Sequence, residues 1–399
     1  MKTANGTWCK SDNEKAEIFR AYLAEVFQPH CVSENFTHTL NIENSLTSPL
    51  PLYLAPKPFS PGEIQHLIKS FPLKKAPGVD LITTELAREL SKKAMIHLTH
   101  ILNSILRLSY FPLQWKVSII ILIPKPGKPP DMASSYRPIS LLPFFAKLTE
   151  KLILKRISKI INDKKIIPNT QFGFRNKHST LHQVHRITDS ISYALEKKLY
   201  CSAVLLDVAQ AFDKVWHPGL LFKLKAILPP PYFLFFKSYL ENRNFVTQVG
   251  SVFSNLSPIL VGVPQGAISS PILYNIYTAD QPTTPQTNVA EFADDKMIFT
   301  SHDSPQTASQ HLKNHLNMME QWYSKWKIKI NNEKSSHITF SLKQNTIPTV
   351  TLNNRIIPQT SNVRYLGLIL DKRLTWAEHL KKKTNPIKHQ TKVPPYAPR

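Results

Sequence analysis

The pattern of apolar and polar residues along the chain predicts a mixture of helices and strands. Apolar residues recur at helical spacing, which predicts helices at 13–27, 86–108, 144–161, 180–197, 267–277 and 306–326. Shorter runs rich in branched side chains predict strands at 117–123, 203–206, 336–341 and 363–370. Because no βα unit repeats, we expect an α+β fold in which helices back antiparallel strands.

A proline-rich, polar stretch at 47–61 is typical of a linker. The helix that follows it has a clear start. We expect Ser60 to cap this helix, Pro61 to occupy its first position and Glu63 to close a capping box.

Two adjacent carboxylates mark the stretch Phe292-Ala293-Asp294-Asp295. It lies between strand-forming runs at 288–292 and 296–300, which predicts a tight β-hairpin with Asp294 and Asp295 at its tip. Neighbouring like charges repel, and a divalent cation would remove the conflict. Aspartate is also common in solvated turns, so the pair alone leaves a metal site and a plain acidic turn equally open.

A third carboxylate, Asp207, follows the apolar run at 203–206 and should emerge at the end of a buried strand. If this strand neighbours the hairpin, three carboxylates come together, and hard oxygen ligands of this kind suit Mg²⁺. Two ions held there could activate an attacking 3′-hydroxyl and stabilise a leaving pyrophosphate. Spacing alone also allows that Asp207 only caps the next turn.

The composition indicates a folded, strongly basic protein. The chain has 399 residues, of which 42% are hydrophobic, so a sizeable core can form. Lys and Arg total 50 against 27 Asp and Glu, a net charge of +23 that favours a polyanionic partner, nucleic acid rather than membrane. The basic residues form small dispersed clusters, as along a charged channel.

The three cysteines, Cys9, Cys31 and Cys201, lack paired spacing and indicate neither a disulfide framework nor a zinc knuckle. Cys9, His30 and Cys31 offer metal-binding side chains, although unpaired cysteines near a terminus seldom form a site. The first residues are polar, unlike a signal peptide, and the longest dense apolar run is too short to cross a bilayer. We therefore expect an intracellular protein that does not associate with membranes.

A series of short motifs gives the sequence a specific resemblance. In order along the chain they are Lys-Ala-Pro-Gly-Val-Asp at 75–80, Ile-Pro-Lys-Pro-Gly-Lys at 123–128, Ser-Tyr-Arg-Pro-Ile-Ser-Leu-Leu at 135–142, Gln-Phe-Gly-Phe-Arg at 171–175, His-Ser-Thr at 178–180, Leu-Asp through Ala-Phe-Asp-Lys-Val-Trp-His at 206–217, Gly-Val-Pro-Gln-Gly at 262–266, Phe-Ala-Asp-Asp at 292–295, Trp326 through Asn331 to Lys334, and Tyr-Leu-Gly at 365–367. Each motif alone is weak, but the ordered series over residues 70–370 is specific. The sequence resembles the reverse transcriptase domain of non-LTR retrotransposons, most closely the jockey group.

The resemblance implies roles for individual residues. It makes Asp207, Asp294 and Asp295 the catalytic ligands of Mg²⁺, with Mn²⁺ as an alternative ion and the carbonyl of Val208 assisting. Phe212 corresponds to a steric gate that excludes the 2′-hydroxyl of ribonucleotides, although its ring also suits a core position. The resemblance also implies that Lys125 and Arg137 bind the triphosphate and that Gln265 and Gly266 line the nucleotide and the template. Lys334 would donate a proton to the leaving group, although a solvated surface lysine is the alternative at that position. Tyr365, Leu366 and Gly367 would form the primer grip.

The family pattern also implies an architecture and partners. It implies a right-hand polymerase with fingers, palm and truncated thumb, divided into an N-terminal helical extension and linker at 1–60, fingers at 61–200, palm with part of the fingers at 201–345, and primer grip with a thumb stub at 346–399. The partners would be an RNA template, a DNA primer and dNTPs. We expect endonuclease activity to come from elsewhere, because residues 1–60 are too short for such a domain. The family mechanism favours the nucleus, with the cytoplasm as the alternative.

Two other functions compete with RNA-directed DNA synthesis. A catalytically silent nucleic-acid-binding remnant would keep the basic surface, but it has no physical reason to keep Asp207, Asp294, Asp295 and Phe212 together. An RNA-directed RNA polymerase would share the three carboxylates, but it must admit the 2′-hydroxyl that a bulky Phe212 opposes. Ala267 stands where the family often has serine, and a small side chain still fits there.

Overall fold

The computed structural model describes residues 8–30 and 36–390, with side chains up to residue 383. The described residues form helices α1 Asp12–Val26, α2 Phe36–Thr47, α3 Pro61–Ser70, α4 Thr84–Arg88, α5 Lys92–Leu108, α6 Phe144–Asp163, α7 Thr180–Glu196, α8 His217–Ile227, α9 Pro230–Leu240, α10 Ser270–Tyr277, α11 Pro305–Lys325 and α12 Ala377–Gln390. The strands are β1 Val117–Pro124, β2 Tyr136–Leu141, β3 Tyr200–Leu206, β4 Arg243–Val249, β5 Val252–Phe253, β6 Ser257–Ile259, β7 Asn288–Phe292, β8 Asp295–His302, β9 Ser336–Phe340, β10 Thr351–Leu352, β11 Arg355–Ile356, β12 Asn362–Tyr365 and β13 Leu368–Asp371. The mixed α+β class predicted from the sequence is confirmed.

The chain folds into two compact units that do not follow its linear order. The first unit takes in the described parts of Met1–Pro168 together with Gln210–Asp280 and Trp326–Ile328. The second takes in Asn169–Ala209, Gln281–Lys325 and the described part of Lys329–Arg399. The predicted boundaries of fingers, palm and thumb remain a prediction.

The first unit is built on a five-stranded sheet in the order β2-β1-β4-β5, with β6 also paired to β4. β1 runs antiparallel to β2 and parallel to β4. Helix α1 packs on β4, where the Thr247 hydroxyl donates to the Ala16 carbonyl at 2.7 Å. Phe27, just after α1, meets Phe245 edge to face with ring centroids 5.2 Å apart. The N-terminal helix is therefore part of this unit's core.

The second unit is built on an antiparallel sheet in the order β7-β8-β3-β9. Helix α11 contacts β3 and β8, and helix α7 contacts β3 and β7. Ala203, Leu205, Met297 and Phe299 are buried in a core that also includes Tyr365 from β12. Both faces of β3 are buried. A slip of one residue against β8 would move every side chain of β3 to the opposite face, so the packing on each face fixes the register.

The cap by Ser60 and the proline in the first turn are confirmed, since the Ser60 hydroxyl accepts from the Glu63 amide at 3.1 Å. The Glu63 carboxylate, predicted to close a capping box, pairs with Lys155 at 3.1 Å and Arg156 at 2.7 Å. Two expectations about secondary structure were wrong. The pattern over 86–108 is divided between α4 and α5 rather than forming one helix. Residues 363–370 form not one strand but an antiparallel hairpin, β12 and β13, because the backbone reverses at Leu366 and Gly367 with φ of 45° and 87°.

Among the described helices, none combines the length and apolarity needed to span a bilayer. Cys9 and Cys201 are free thiols, and Cys201 is buried. Cys31 lies outside the described residues, so a meeting of Cys9, His30 and Cys31 stays untested.

Candidate active site

The three predicted aspartates lie at the ends of adjacent strands in the second unit. β3 and β8 pair antiparallel up to Leu206 opposite Lys296, and Asp207 and Asp295 are the next residues on each strand. Asp294 shares the two-residue turn between β7 and β8 with Ala293, because Phe292 pairs with Asp295. The predicted hairpin and its predicted neighbour are both confirmed, and we call Asp207, Asp294 and Asp295 the aspartate trio.

Electrostatic repulsion acts within the aspartate trio. Although the side chain of Asp295 reaches solvent, nearby protein atoms remove part of its hydration, and the charges of Asp294 and Asp207 add to this effect. Together they raise the pKa of Asp295 to about 6, against a smaller opposing influence of Arg364. Partial burial also raises the pKa of Asp207, and the charge of Lys334 opposes that rise. The three carboxylates therefore favour a further positive charge in addition to those of Arg364 and Lys334.

The donor set suits a divalent ion, but the side chains are not drawn into a closed ligand shell. In the described part of the chain, no three His, Cys, Asp or Glu side chains converge closely enough to hold a metal ion. The trio offers hard carboxylate oxygens on two adjoining strand ends, and these carboxylates interact electrostatically. Such oxygens are the ligands that Mg²⁺ and Mn²⁺ prefer.

The segment after β3 is held by the loop that carries Lys334. Val208 forms an isolated antiparallel bridge with Ile330, and the Asp207 carbonyl accepts from the Asn331 amide at 2.8 Å. The Asp207 amide donates to the Ser335 hydroxyl at 3.2 Å. Lys334 is exposed, and its charge reaches Asp207. The structure thus brings Lys334 and Val208 to the aspartate trio.

The predicted primer grip forms a hairpin turn on the sheet face that carries Asp295. Tyr365 is buried, and its hydroxyl lies 3.4 Å from the Ala290 carbonyl of β7. Burial, followed by the charge of Asp295, raises the pKa of Tyr365 well above its usual range. Gly367 has a positive φ at the turn itself, and a β-carbon added there would meet no described atom within 4 Å outside its chain neighbours. The positive φ, rather than close packing, is therefore what favours glycine at this position.

The predicted nucleotide-side residues lie in the first unit. Phe212 is half-buried and stacks on Tyr274 with ring centroids 4.7 Å apart and planes inclined by 20°. Its carbonyl accepts from the Val263 amide at 2.8 Å, which ties it to the segment leading into Gln265. The ring therefore has a fixed position and is only partly a core residue.

Asp213 contacts the predicted site residue Gln265, and the sequence interpretation did not single it out. The Gln265 amide nitrogen lies 2.9 Å from each of the two Asp213 carboxylate oxygens. Burial raises the pKa of Asp213 to about 7, while Gln265, Lys125 and Lys214 favour its charged form. Its position directly after Phe212 was visible in sequence, but its partner lies 52 residues away. Asp213 fixes the direction in which Gln265 points.

Lys125 and Arg137 lie on the paired strands β1 and β2 or just beyond them. Arg137 is exposed opposite Ile123. The Lys125 ammonium donates to the Ser134 carbonyl at 2.8 Å. Gly266 has a φ of 113°, and a β-carbon there would come within 2.9 Å of the Ser140 carbonyl oxygen. Only glycine fits this approach without strain.

A buried ion pair beside the turn was also missed from sequence. Glu291 and Lys296 face each other across β7 and β8, with the ammonium 2.9 Å from Oε1 and both side chains almost fully buried. Alternation along β8 places Lys296 on the opposite face from Asp295. The Glu291 carboxylate also accepts from Gln281 at 3.0 Å and from Thr170 at 3.2 Å. In the sequence, the sign of this ion pair was that an acidic residue directly precedes Phe-Ala-Asp-Asp and a basic residue directly follows it.

Comparison with known proteins places these elements in a family. Residues 123–370 match the family described as reverse transcriptase (RNA-dependent DNA polymerase), and that segment contains the whole aspartate trio. The chain belongs to this reverse transcriptase family. The resemblance drawn from the motifs is confirmed, and metal dependence is general in the family.

Several curated relatives come from Drosophila melanogaster mobile elements. The chain is 39% identical over 382 residues to the probable RNA-directed DNA polymerase from transposon X-element, which covers 94% of this chain and 42% of that protein. It is 40% identical to the RNA-directed DNA polymerase from mobile element jockey, covering 95% of this chain and 42% of that protein. The probable enzyme from transposon BS is 40% identical, with 96% and 43% covered. The chain thus spans about two fifths of the length of these relatives.

A solved structure of apo telomerase from Candida tropicalis, truncated from its C-terminal domain, is similar in fold. The match covers 66% of this chain and 54% of the telomerase chain. Its TM-score is 0.44 at 15% identity. That likeness is too low to support an inference about this chain.

Proposed function

We propose that the chain is the polymerase part of a non-LTR retrotransposon reverse transcriptase. It would add dNMP units to the 3′-hydroxyl of a DNA primer on an RNA template, releasing pyrophosphate. The observation that carries this proposal is the placement of Asp207 and Asp295 at adjoining ends of β3 and β8, with Asp294 in the neighbouring turn, inside the family segment. The net charge of +23 suits a nucleic-acid partner.

The aspartate trio would hold the divalent ion, Mg²⁺ or Mn²⁺, with the Val208 carbonyl as a further ligand. When bound, the ion would lower the pKa of the primer 3′-hydroxyl and stabilise charge on the leaving pyrophosphate. Lys334 would donate a proton to that leaving group, consistent with the effect of its charge at Asp207. The turn at Leu366 and Gly367 would grip the primer.

The first unit would bind the incoming nucleotide. Lys125 and the exposed Arg137 would hold the triphosphate, for which the forked donors of arginine are suited. Gln265, oriented by Asp213, and Gly266 would line the nucleotide and the template. We assign residues 1–60 to an N-terminal helical extension and linker, 61–200 to fingers, 201–345 to palm with part of the fingers, and 346–399 to the primer grip and a thumb stub. Priming from nicked target DNA, which the family mechanism implies, would favour a nuclear location, with the cytoplasm as the alternative.

Primer extension tests the proposal directly. The purified chain is expected to extend a DNA primer on an RNA template when dNTPs and Mg²⁺ are supplied. Labelled primer resolved by length gives the measurement, with a DNA template as comparison. Template binding without extension, where a jockey relative extends, would contradict the enzyme proposal and favour a nucleic-acid-binding remnant.

The steric gate gives a second expected result. Phe212→Val should raise ribonucleotide incorporation relative to dNTP incorporation by about tenfold or more, because a smaller side chain leaves room for the 2′-hydroxyl. Single-nucleotide extension with each sugar measures the ratio. Phe145→Val, the same change at another half-buried ring of this unit, is the matched control. Unchanged discrimination in Phe212→Val would mean that the ring only fills the core.

A further inference from the structure

One buried glutamine contacts the turn that carries Asp294. Oε1 of Gln171 accepts from the Ala293 amide at 2.8 Å, and Nε2 of Gln171 donates to the Ala293 carbonyl at 3.1 Å. A single side-chain amide therefore bonds both backbone groups of the residue immediately before Asp294. Only 2% of Gln171 is exposed.

The turn needs outside support because of its backbone conformation. Ala293 has a φ of 58°, and Asp294 is not among the residues with positive φ. A positive φ at only the first of two turn residues is typical of a type II′ hairpin, where glycine is favoured. Alanine is strained there, and such strain persists only where surrounding contacts hold it.

The backbone around Gln171 brings its side chain to this place. The Glu291 amide donates to the Thr170 carbonyl at 3.0 Å, and the Phe172 amide donates to the Glu291 carbonyl at 2.9 Å. These bonds end two residues before Ala293, so the Gln171 side chain extends the contact to the turn itself.

Gly173 allows the close approach. Its amide donates to Oε1 of Gln171 at 2.7 Å, which fixes the orientation of that amide group. A β-carbon at Gly173 would lie 2.2 Å from the Ala293 nitrogen. Any other residue would push the segment away from the turn, so Gly173 and Gln171 act together.

We propose that Gln171 is a positioning residue that holds the Ala293 turn and thereby presents Asp294 and Asp295 for metal binding. This inference rests on the proposed metal site. Groups that hydrogen-bond directly to metal ligands typically change metal affinity by about 10–100-fold when removed, and we expect the support of the turn that carries two ligands to matter on the same scale.

Direct binding of Mn²⁺, followed by electron paramagnetic resonance, tests the inference without requiring catalysis. Gln171→Met keeps the size of the side chain and removes both hydrogen bonds to Ala293. We expect it to raise the Mn²⁺ dissociation constant by about tenfold or more. The ion concentration that half-saturates primer extension should rise in parallel, while the KM for template changes little.

Gln183→Met is the matched control. Gln183 is also fully buried and donates to the Thr170 and Glu291 carbonyls at 3.2 and 3.0 Å, but no described bond joins it to Ala293. It should lose stability comparably and keep Mn²⁺ affinity. A glycine at the turn adopts positive φ unaided, so adding Ala293→Gly to Gln171→Met should recover part of the affinity. If Gln171→Met does not fold, Gln171→Asn, which shortens the reach of the amide, carries the same expectation.

The outcomes separate the two proposals. Mn²⁺ binding without primer extension would overturn the catalytic proposal. The positioning role would still be supported if Gln171→Met bound Mn²⁺ more weakly than the unaltered chain. Equal losses in Gln171→Met and Gln183→Met, or unchanged affinity in Gln171→Met, would overturn the positioning role. No Mn²⁺ binding by the unaltered chain would overturn both.

Discussion

Asp295→Asn is expected to lower the rate of primer extension by about 10³-fold or more while template binding stays within about twofold. Asparagine keeps the shape of the side chain but loses the charge that would hold a divalent ion. Single-turnover extension and RNA filter binding measure the two quantities. Asp303→Asn, a change of an exposed aspartate just beyond the other end of β8, is the control and should leave both unchanged.

The same substitution should make the protein more stable at pH 8. Partial loss of hydration and the neighbouring charges of Asp294 and Asp207 raise the pKa of Asp295 to about 6 in the folded protein, against about 3.9 in an unfolded chain. The folded protein therefore binds this proton more tightly, and its stability falls as the pH rises from about 4 to about 6. Asparagine removes that loss, so the variant should melt higher than the unaltered chain at pH 8 and nearly equally at pH 4. A lower midpoint at pH 8 would identify Asp295 as a structural residue.

Lys296→Met should lower the free energy of unfolding by about 3–5 kcal/mol. It leaves the Glu291 carboxylate buried without its opposite charge, although Gln281 and Thr170 still donate to it. Urea unfolding followed by tryptophan fluorescence gives the measurement. Lys313→Met, at an exposed position on α11, should change the free energy by less than about 0.5 kcal/mol.

A double substitution separates the charge pair from simple packing. Glu291→Leu with Lys296→Met removes both charges, so its destabilisation should be smaller than the sum of the two single effects. Additive losses would show that the pair contributes no coupling, and that Lys296 matters only through the space it fills.

The aspartate trio could be predicted because its signals are local. A buried strand that ends in aspartate and a hairpin with two aspartates at its tip are both readable from period and residue type, and the register of β3 against β8 joins them. The contacts of Gln171 with Ala293 and of Asp213 with Gln265 could not be predicted in the same way. Each joins positions far apart in sequence, and no periodicity records that they meet.

The missed secondary structure has physical reasons of its own. β2 contains Pro138, which argues against a central strand, but β2 is at the edge of its sheet and a missing amide is tolerated there. Helices α8 and α9 are apolar on nearly every side because both are buried, so the amphipathic period that identifies a helix is absent. The run of apolar residues at 363–370 predicted a single strand, although Gly367, where the backbone reverses, is a residue typical of turns.

The packing of α1 shows that the first unit extends beyond the segment that matches the family model. The match to the family model begins at residue 123, inside β1. The sheet nonetheless relies on Ala16, which accepts from Thr247, and on Phe27 against Phe245. A polypeptide cut at the start of that match would divide β1 and uncover the side of β4 that packs on α1. A fragment chosen for expression should therefore include α1, because α1 and Phe27 cover buried residues of β4.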